Sequence, residues 1–355
     1  MAPSPTKPTV RRLEELDVLR GLAALAVLMC HYVSACVHAG VLGGPFRFGA
    51  YGAHLFFLIS GFVIFMTLAK TERPLDFVVS RLSRLYPTYW VAVAFTAAML
   101  VVLGRPETRP GLSQTVLNLT MFQTWFHVPN LDCAYWTLGL ELKFYVLMLV
   151  LYRLRRLDRI EWIGAFWLVA IAADRFAVIR LGLPNFTVLR ASLMFDYAQL
   201  FIAGIVFYRL KSMGPRRDRT ALLACCLAAQ FAAAGLESAC IMAGFFGVFH
   251  LFIAGRLTWI ARGPLVLLGT ISYGFYLMHG VIGDMMIPRL ATLTASPAVL
   301  IAIPTVVSLV VAWVVTRFIE RPVLKRIRDG YQRLRPPVFG DAAARVSERC
   351  PIGPT

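Results

Sequence analysis

The chain has 355 residues, of which 58% are hydrophobic, and its mean hydropathy is +0.68. Apolar runs of about 20 residues recur from end to end, and this is the length that a helix needs to cross a bilayer. Composition therefore excludes an ordinary soluble domain and predicts an all-α fold, a polytopic membrane helix bundle. The net charge of +17 does not indicate nucleic-acid binding, because the basic residues form short clusters between the apolar runs. The seven cysteines show no metal-ligand spacing, so no metal is expected.

About ten transmembrane helices are predicted from the apolar runs, and the seventh and eighth are short enough to form a tight hairpin. Their approximate ranges are 17–36, 50–69, 87–103, 136–152, 162–181, 191–208, 220–236, 239–254, 264–287 and 298–316. Most of the 36 basic residues fall on the cytoplasmic side of the membrane if the N-terminus is cytoplasmic. We therefore expect both termini in the cytoplasm and a multi-pass location in the inner (cytoplasmic) membrane. The expected organisation is a cytoplasmic leader at 1–16, a membrane domain at 17–322 and a basic, partly disordered tail at 323–355.

The first predicted span carries two ionisable residues on one helix face. Arg20 and His31 in LDVLRGLAALAVLMCHY are 11 residues apart, which is about three turns and roughly 16 Å along the axis. Ionisable groups at such depth indicate function, because burying them costs stability. Snorkelling at the membrane surface is the simpler alternative for Arg20. His31 needs a polar partner, and an imidazole is suited to general-base catalysis on a hydroxyl group.

A basic pair precedes the third predicted span, in the stretch FVVSRLSRLYPTYW. Arg81 and Arg84 are three residues apart, so they project from one face of a short cytoplasmic helix. Paired guanidinium groups form a good socket for phosphate, although simple topology signalling is the alternative. Pro87 is expected to begin the span, and Tyr86 and its aromatic neighbours fit an interfacial belt.

Further polar residues lie in or beside other predicted spans. In GAHLFFLISGF, Gly61 permits close helix approach, and His54 is near the outer end, where an interfacial role is the alternative. Glu141 in WTLGLELKFY points away from Lys143, so each needs another partner or faces a cavity. In TRFIERP, Glu320 is placed to neutralise an arginine, and a structural pairing is as well supported as catalysis.

Taken together and in order, these segments resemble the acyltransferase-3 family of integral-membrane O-acyltransferases. The matching motifs are LDVLRGLAALAVLMCH, GAHLFFLISGF, SRLSRLYPTYW, WTLGLELKFY, ISYGFYLMH and RFIERP, which cover nearly the whole membrane portion. One departure is Glu141-Leu142-Lys143, where the family often has Glu followed by Gln. No segment outside the spans is long enough for the extra hydrolase-like domain of some relatives, so the stand-alone form is expected.

The resemblance implies transfer of an acyl group, usually acetyl, from acyl-coenzyme A to a carbohydrate hydroxyl. The acceptor is expected to be a polysaccharide, a lipid-linked glycan or a small glycoside, with membrane lipid and a second copy of the chain as further partners. We expect catalytic roles for His31, Arg20 and Glu141. We expect the other roles as follows: donor binding by Arg81, Arg84 and Tyr86; substrate binding by His54, Trp136, Tyr276 and His279; structural support by Gly61 and Glu320.

Two other classes of membrane protein also need buried ionisable residues. A transporter or flippase of a lipid-linked sugar or acyl carrier is the main alternative, but the chain lacks the paired repeats with broken helices that such proteins use. A membrane glycosyltransferase would need acidic residues in the first outer loop, and residues 37–49 contain none. Label transferred from acyl-coenzyme A to a glycan distinguishes the enzyme from both.

Overall fold

The computed structural model describes residues 13–182 and 187–334, and within these ranges every regular element is helical. Most of the predicted leader and the far part of the predicted tail lie outside the described residues. The twelve α-helices of the described ranges are α1 (Glu14–His38), α2 (Gly52–Leu68), α3 (Pro74–Leu103), α4 (Leu112–Asn118), α5 (Trp136–Arg153), α6 (Ile160–Leu181), α7 (Thr187–Ser192), α8 (Ala198–Met213), α9 (Arg217–Ile253), α10 (Gly263–Leu290), α11 (Pro297–Val315) and α12 (Arg321–Leu334).

Eight helical segments of the described chain are long and apolar enough to cross a membrane. The protein is therefore a multi-pass membrane helix bundle, as the sequence predicts. The count is lower than ten for two reasons. Helix α8 has only 16 residues, and the seventh and eighth predicted spans are both contained in α9.

Helix α9 is a hairpin of two arms rather than one straight rod. Gly235 has φ 81° and ψ −175°, a conformation that no helix contains and that glycine adopts most readily. On a straight helix Gln230 and Ser238 would be about 12 Å apart along the axis. Instead the Gln230 Nε2 donates a hydrogen bond to the Ser238 Oγ at 2.6 Å, so the chain turns sharply at Gly235.

The third span begins earlier than the sequence indicates. Pro87 was expected at its start, but α3 begins at Pro74 and contains Pro87 in its interior. A proline inside a membrane helix removes one backbone hydrogen bond without ending the helix, because neighbouring helices support it. As a result Arg81 and Arg84 lie seven and ten residues inside α3, on a packed helix rather than on a cytoplasmic surface stretch.

The helices pack in two groups that meet along α1 and α2. Helix α10 is central to the first group and packs against α1, α3 and α11, while α2 packs mainly against α8 in the second. A Cβ atom added to Gly61 would lie 2.2 Å from the Phe201 carbonyl oxygen, so the backbones of α2 and α8 touch there. This close contact leaves no room for any side chain at Gly61.

The connection 104–135 packs against α3 rather than extending away from the bundle. Tyr86, Tyr89 and Trp90, the aromatic residues expected in an interfacial belt, each donate a hydrogen bond to a backbone carbonyl of this connection. The bonds are Tyr86 Oη to Thr120 O at 3.0 Å, Tyr89 Oη to Asn118 O at 2.7 Å and Trp90 Nε1 to Leu119 O at 3.0 Å. They fix the connection on the bundle, and its last residues then reach the candidate site.

Candidate active site

Two histidines from different helices meet inside the bundle. The Nδ1 of His31 on α1 is 3.2 Å from the Nε2 of His279 on α10, and the ring centroids are 5.0 Å apart. His279 is fully buried and His31 is half-buried. The partner that an imidazole needs in a membrane is therefore a second imidazole, brought by a helix about 250 residues later in the chain.

The polar surroundings of His279 hold it firmly. Its Nδ1 is 2.7 Å from the Tyr276 carbonyl oxygen, one turn earlier on α10. The Tyr32 hydroxyl on α1 donates to the His279 carbonyl oxygen at 3.0 Å and also lies 2.8 Å from the Ser308 Oγ on α11. Three helices thus fix the position of the His279 backbone and ring.

The end of the connection 104–135 supplies two residues that the sequence analysis did not single out. The Cys133 Sγ lies 3.4 Å from the His31 Nδ1 and 3.6 Å from the Asp132 Oδ1. The Asp132 carboxylate accepts hydrogen bonds from the backbone amides of Ala134 at 2.8 Å and Val281 at 2.9 Å. Asp132 therefore ties the connection to α10 beside the histidine pair.

The pKa values of Asp132 and Cys133 are both shifted by their surroundings. Burial, assisted by the nearby Asp284 carboxylate, raises the pKa of Asp132 to about 6, against the opposing effect of its two backbone hydrogen bonds. Burial and the Asp132 carboxylate raise the pKa of the Cys133 thiol. A thiol in this environment stays protonated at neutral pH, so Cys133 lacks the property that marks reactive cysteines.

A cavity of about 690 Å³ lies among α1, α2, α3, α5 and α10. Three arginines face it, Arg20, Arg81 and Arg84. The rest of its lining is mixed, and includes Phe56, Phe57, Ser60, Leu85, Thr137, Glu141, Tyr145, Ser272, Tyr273 and Tyr276. Three cations and one carboxylate give the pocket a net positive charge, which favours ligands that carry negative charge.

Glu141 is oriented by two hydroxyl groups in the wall of the cavity. Its Oε1 accepts hydrogen bonds from Ser60 at 3.2 Å and from Tyr145 at 2.5 Å. Arg20 is 4.0 Å from the Asp17 carboxylate, and its side chain remains partly accessible. The prediction that Glu141 faces a cavity agrees with this placement.

The cavity and the histidine pair are adjacent. Tyr276 lines the cavity, its ring centroid is 5.7 Å from that of His279, and its hydroxyl lies 3.2 Å from the Thr137 Oγ1. Arg20 and His31 belong to the same helix, α1, as the sequence pattern indicates. The arginine-lined cavity and the histidine pair are thus neighbouring parts of one site inside the bundle.

A second, more open cavity of about 1010 Å³ lies near the N-terminal end of α2 and the turn of α9. Tyr51, His54 and Tyr197 give it an aromatic lining, and its charged members are Arg47, Arg175, Asp196 and Glu237. The buried Nδ1 of His54 has no hydrogen-bond partner among the described residues. Trp136 packs against Tyr197 with ring centroids 5.3 Å apart and so stands behind this cavity.

Two predicted site residues are placed differently from expectation. Tyr86 does not line the arginine cavity, since its hydroxyl is bonded to the connection described above. His279 is buried with both ring nitrogens engaged, which leaves it no atom for a substrate. Glu320, for which structural support is expected, lies in a π-helical turn at Thr316–Glu320 and accepts a hydrogen bond from the Thr316 Oγ1 at 3.3 Å.

A histidine pair inside the helix bundle lies beside a cavity lined by three arginines, so groups able to transfer a proton adjoin a cationic pocket, as in an enzyme site. Comparison with known proteins identifies the family. Residues 13–317 match the acyltransferase-3 family, described as an acyltransferase domain. The chain belongs to this family and is an enzyme that transfers acyl groups, which disfavours the transporter and glycosyltransferase alternatives.

Three curated proteins are similar to this chain, and one of them is named an acyltransferase. The acyltransferase MdmB of Streptomyces mycarofaciens is 27% identical, with 77% of this chain and 79% of that protein covered. The exopolysaccharide production protein ExoZ of Rhizobium meliloti (strain 1021) is 26% identical, with coverages of 81% and 93%. Nodulation protein 10 of Rhizobium leguminosarum bv. viciae is 29% identical over 44% of this chain and 48% of its own length. No solved structure gives a significant match.

Proposed function

We propose that this protein moves an acetyl group from acetyl-coenzyme A to a carbohydrate hydroxyl, with His31 as the general base. The observation that carries the proposal is the adjacency of a three-arginine cavity to the His31–His279 pair. Family membership gives the reaction class, and the charge of the cavity and its closeness to the histidine pair support the assignment of the donor and the base.

The positive charge of the cavity suits coenzyme A. Coenzyme A carries a diphosphate and a ribose phosphate at one end and a thin pantetheine arm at the other. Arg81 and Arg84 would hold phosphate oxygens, because guanidinium groups bind them with paired hydrogen bonds. The arm would extend past Arg20 toward Tyr276 and bring the thioester to the histidine level. On the predicted topology, the donor enters from the cytoplasm.

The chemical step needs one proton carrier. In the proposed reaction His31 removes the proton from the acceptor hydroxyl as its oxygen attacks the thioester carbonyl. The carbon–sulfur bond of the donor breaks, and the protonated His31 returns the proton to the departing coenzyme A thiolate. A positioned base of this kind contributes about 10²–10⁴-fold to the rate. Arg20 and Glu141 would orient the arm of the donor in the cavity.

The carbohydrate acceptor is proposed from the relatives and from the second cavity. The name of ExoZ refers to exopolysaccharide production and that of nodulation protein 10 to nodulation. The second cavity combines aromatic rings with charged and hydrogen-bonding groups, a mixture that suits sugar rings and their hydroxyls. We assign His54 to the acceptor side, since its buried Nδ1 has no partner among the described residues.

The test is transfer of label from [14C]acetyl-coenzyme A into the polysaccharide fraction by membranes that contain the protein. Arg84→Gln removes one cavity cation and should raise the KM for acetyl-coenzyme A by about tenfold or more, since a charged hydrogen bond contributes about 1.5–3 kcal/mol. Arg153→Gln is the matched control, because Arg153 is exposed at the end of α5 and should leave the KM unchanged. Equal KM values for the two variants would contradict the donor site, and no label in the polysaccharide fraction would contradict the acceptor class.

A further inference from the structure

The protonation state of His279 follows from its contact with the backbone. The His279 Nδ1 is 2.7 Å from the carbonyl oxygen of Tyr276. A carbonyl oxygen only accepts hydrogen bonds, so the Nδ1 must carry the proton and donate it. In the neutral imidazole the Nε2 is then unprotonated and presents a lone pair.

That lone pair determines the tautomer of the second ring. The His279 Nε2 lies 3.2 Å from the His31 Nδ1, and a hydrogen bond between them requires His31 to donate. The proton of neutral His31 is therefore on Nδ1, and its Nε2 is free to accept a proton. The Nε2 has no hydrogen bond within the described residues, which leaves it available to a substrate.

We propose that His279 is a positioning residue that fixes His31 in the tautomer with a basic Nε2. The inference rests on the proposed function and specifies which atom of His31 takes the acceptor proton. When His31 becomes protonated at Nε2, its Nδ1–H stays bonded to the His279 Nε2, so the imidazolium keeps its orientation. His279 itself exchanges no proton with the substrate, because it is fully buried and both of its nitrogens are engaged.

Neighbouring residues hold the His31–His279 pair in this geometry. The Tyr32 hydroxyl bonds to the His279 carbonyl oxygen, and the Asp132 carboxylate holds the Val281 amide two residues further on. Cys133 fits the same tautomers: its thiol donates to Asp132, and its sulfur lies beside the His31 Nδ1–H as a second, weaker acceptor next to the His279 Nε2. His31 therefore meets an acceptor, and no competing strong donor, at its Nδ1.

Kinetics of two variants of His279 separate orientation from packing. His279→Leu fills the space but offers no acceptor, so kcat should fall by at least about 100-fold with the KM for acetyl-coenzyme A unchanged; a wrong tautomer in a serine protease costs about 10⁴-fold. His279→Gln places an amide oxygen where the Nε2 was and should recover kcat to within about tenfold of the wild type. Wild-type kcat in His279→Leu, or equal loss in both variants with wild-type thermal stability, would overturn the proposal.

The pH profile and nitrogen NMR provide readouts that packing alone does not move. Titratable groups near His31 are His279 on α10, Cys133 and Asp132 on the connection, Tyr32 on α1 and, further away, Asp284 on α10. In His279→Leu the acid limb of kcat should shift, because the imidazolium has lost its acceptor, whereas in His279→Gln it should stay near the wild-type position.

The NMR measurement is independent of turnover and so separates the two proposals. In 15N-histidine protein, the His31 signals, assigned by comparison with His31→Gln, should show a protonated Nδ1 and an unprotonated Nε2. The reverse assignment would overturn the role of His279 even if transfer is observed. Absence of transfer by the wild type, together with the expected tautomer, would instead count against the proposed function.

Discussion

Gly280→Ala tests whether the contact between the connection 104–135 and α10 supports the site. A Cβ atom at this position would lie 2.5 Å from the Asp132 Oδ2 and 2.7 Å from the Oδ1. The carboxylate would have to retreat by about 0.9 Å to reach an ordinary contact of 3.4 Å. It cannot retreat freely, because backbone amides of Ala134 and Val281 bind it from two sides.

The expected loss of stability in Gly280→Ala follows from the two hydrogen bonds of the Asp132 carboxylate. Losing one hydrogen bond to a carboxylate costs about 1.5–3 kcal/mol, while replacing a helical glycine by alanine returns about 0.5–1 kcal/mol. The net destabilisation of Gly280→Ala is therefore about 1–2 kcal/mol. Displacing Cys133 and the His31–His279 pair by a fraction of an ångström should also lower kcat, since a misplacement of 1 Å can cost about 100-fold.

Gly274→Ala on the same helix is the matched control. A Cβ there would meet the Met278 Cε at 3.4 Å, the Ala312 Cα at 3.7 Å and the Thr88 Cγ2 at 3.7 Å, which are ordinary contacts. Thermal unfolding in detergent and initial rates of acetyl transfer are measured for both variants. We expect Gly274→Ala to match the wild type and Gly280→Ala to unfold at a lower temperature and transfer more slowly. Identical behaviour of the two variants would refute the anchoring role of Asp132.

Three further variants test neighbouring groups. Burial raises the pKa of Asp132 to about 6, so the folded state binds the carboxyl proton more tightly than the unfolded state. The stability that the protonated Asp132 contributes should therefore fall as pH rises from about 4 to about 6. The unfolding temperature of Asp132→Asn should lack that slope, and an identical slope would contradict the shift. Tyr32→Phe leaves the Ser308 hydroxyl and the His279 carbonyl without their partner, so unfolding should require about 1–3 kcal/mol less. Cys133→Ala should keep transfer within about tenfold and form no acyl-protein adduct that hydroxylamine releases, whereas loss of transfer would indicate a cysteine nucleophile.

Much of the membrane architecture can be predicted from the sequence because apolar length and charge are local properties. The α9 hairpin and the position of α10 follow from such runs, and the Arg20–His31 spacing places both residues on one helix. The start of α3 could not be predicted in this way, since Pro87 carries a local breaking signal that packing overrides.

The details of the site depend on contacts between distant segments, which no local pattern reports. His31 and His279 appear in the sequence as two separate buried histidines, and nothing in either motif indicates that their rings meet. Asp132 and Cys133 lie in an irregular part of the connection, where no periodic pattern marks them. The only local signal is the type of turn in which an aspartate accepts a hydrogen bond from the amide two residues later, here Asp132 from Ala134. The structure shows that this connection completes the histidine site.

The most direct test of the account compares two histidine variants of α1 in the transfer assay. His31→Ala should abolish movement of label from [14C]acetyl-coenzyme A to polysaccharide, because the general base is lost. Donor binding should persist, because the arginine cavity remains. His38→Ala changes an exposed histidine two turns further along the same helix and should transfer at the wild-type rate. Wild-type transfer by His31→Ala would contradict the central claim that this imidazole performs the proton transfer.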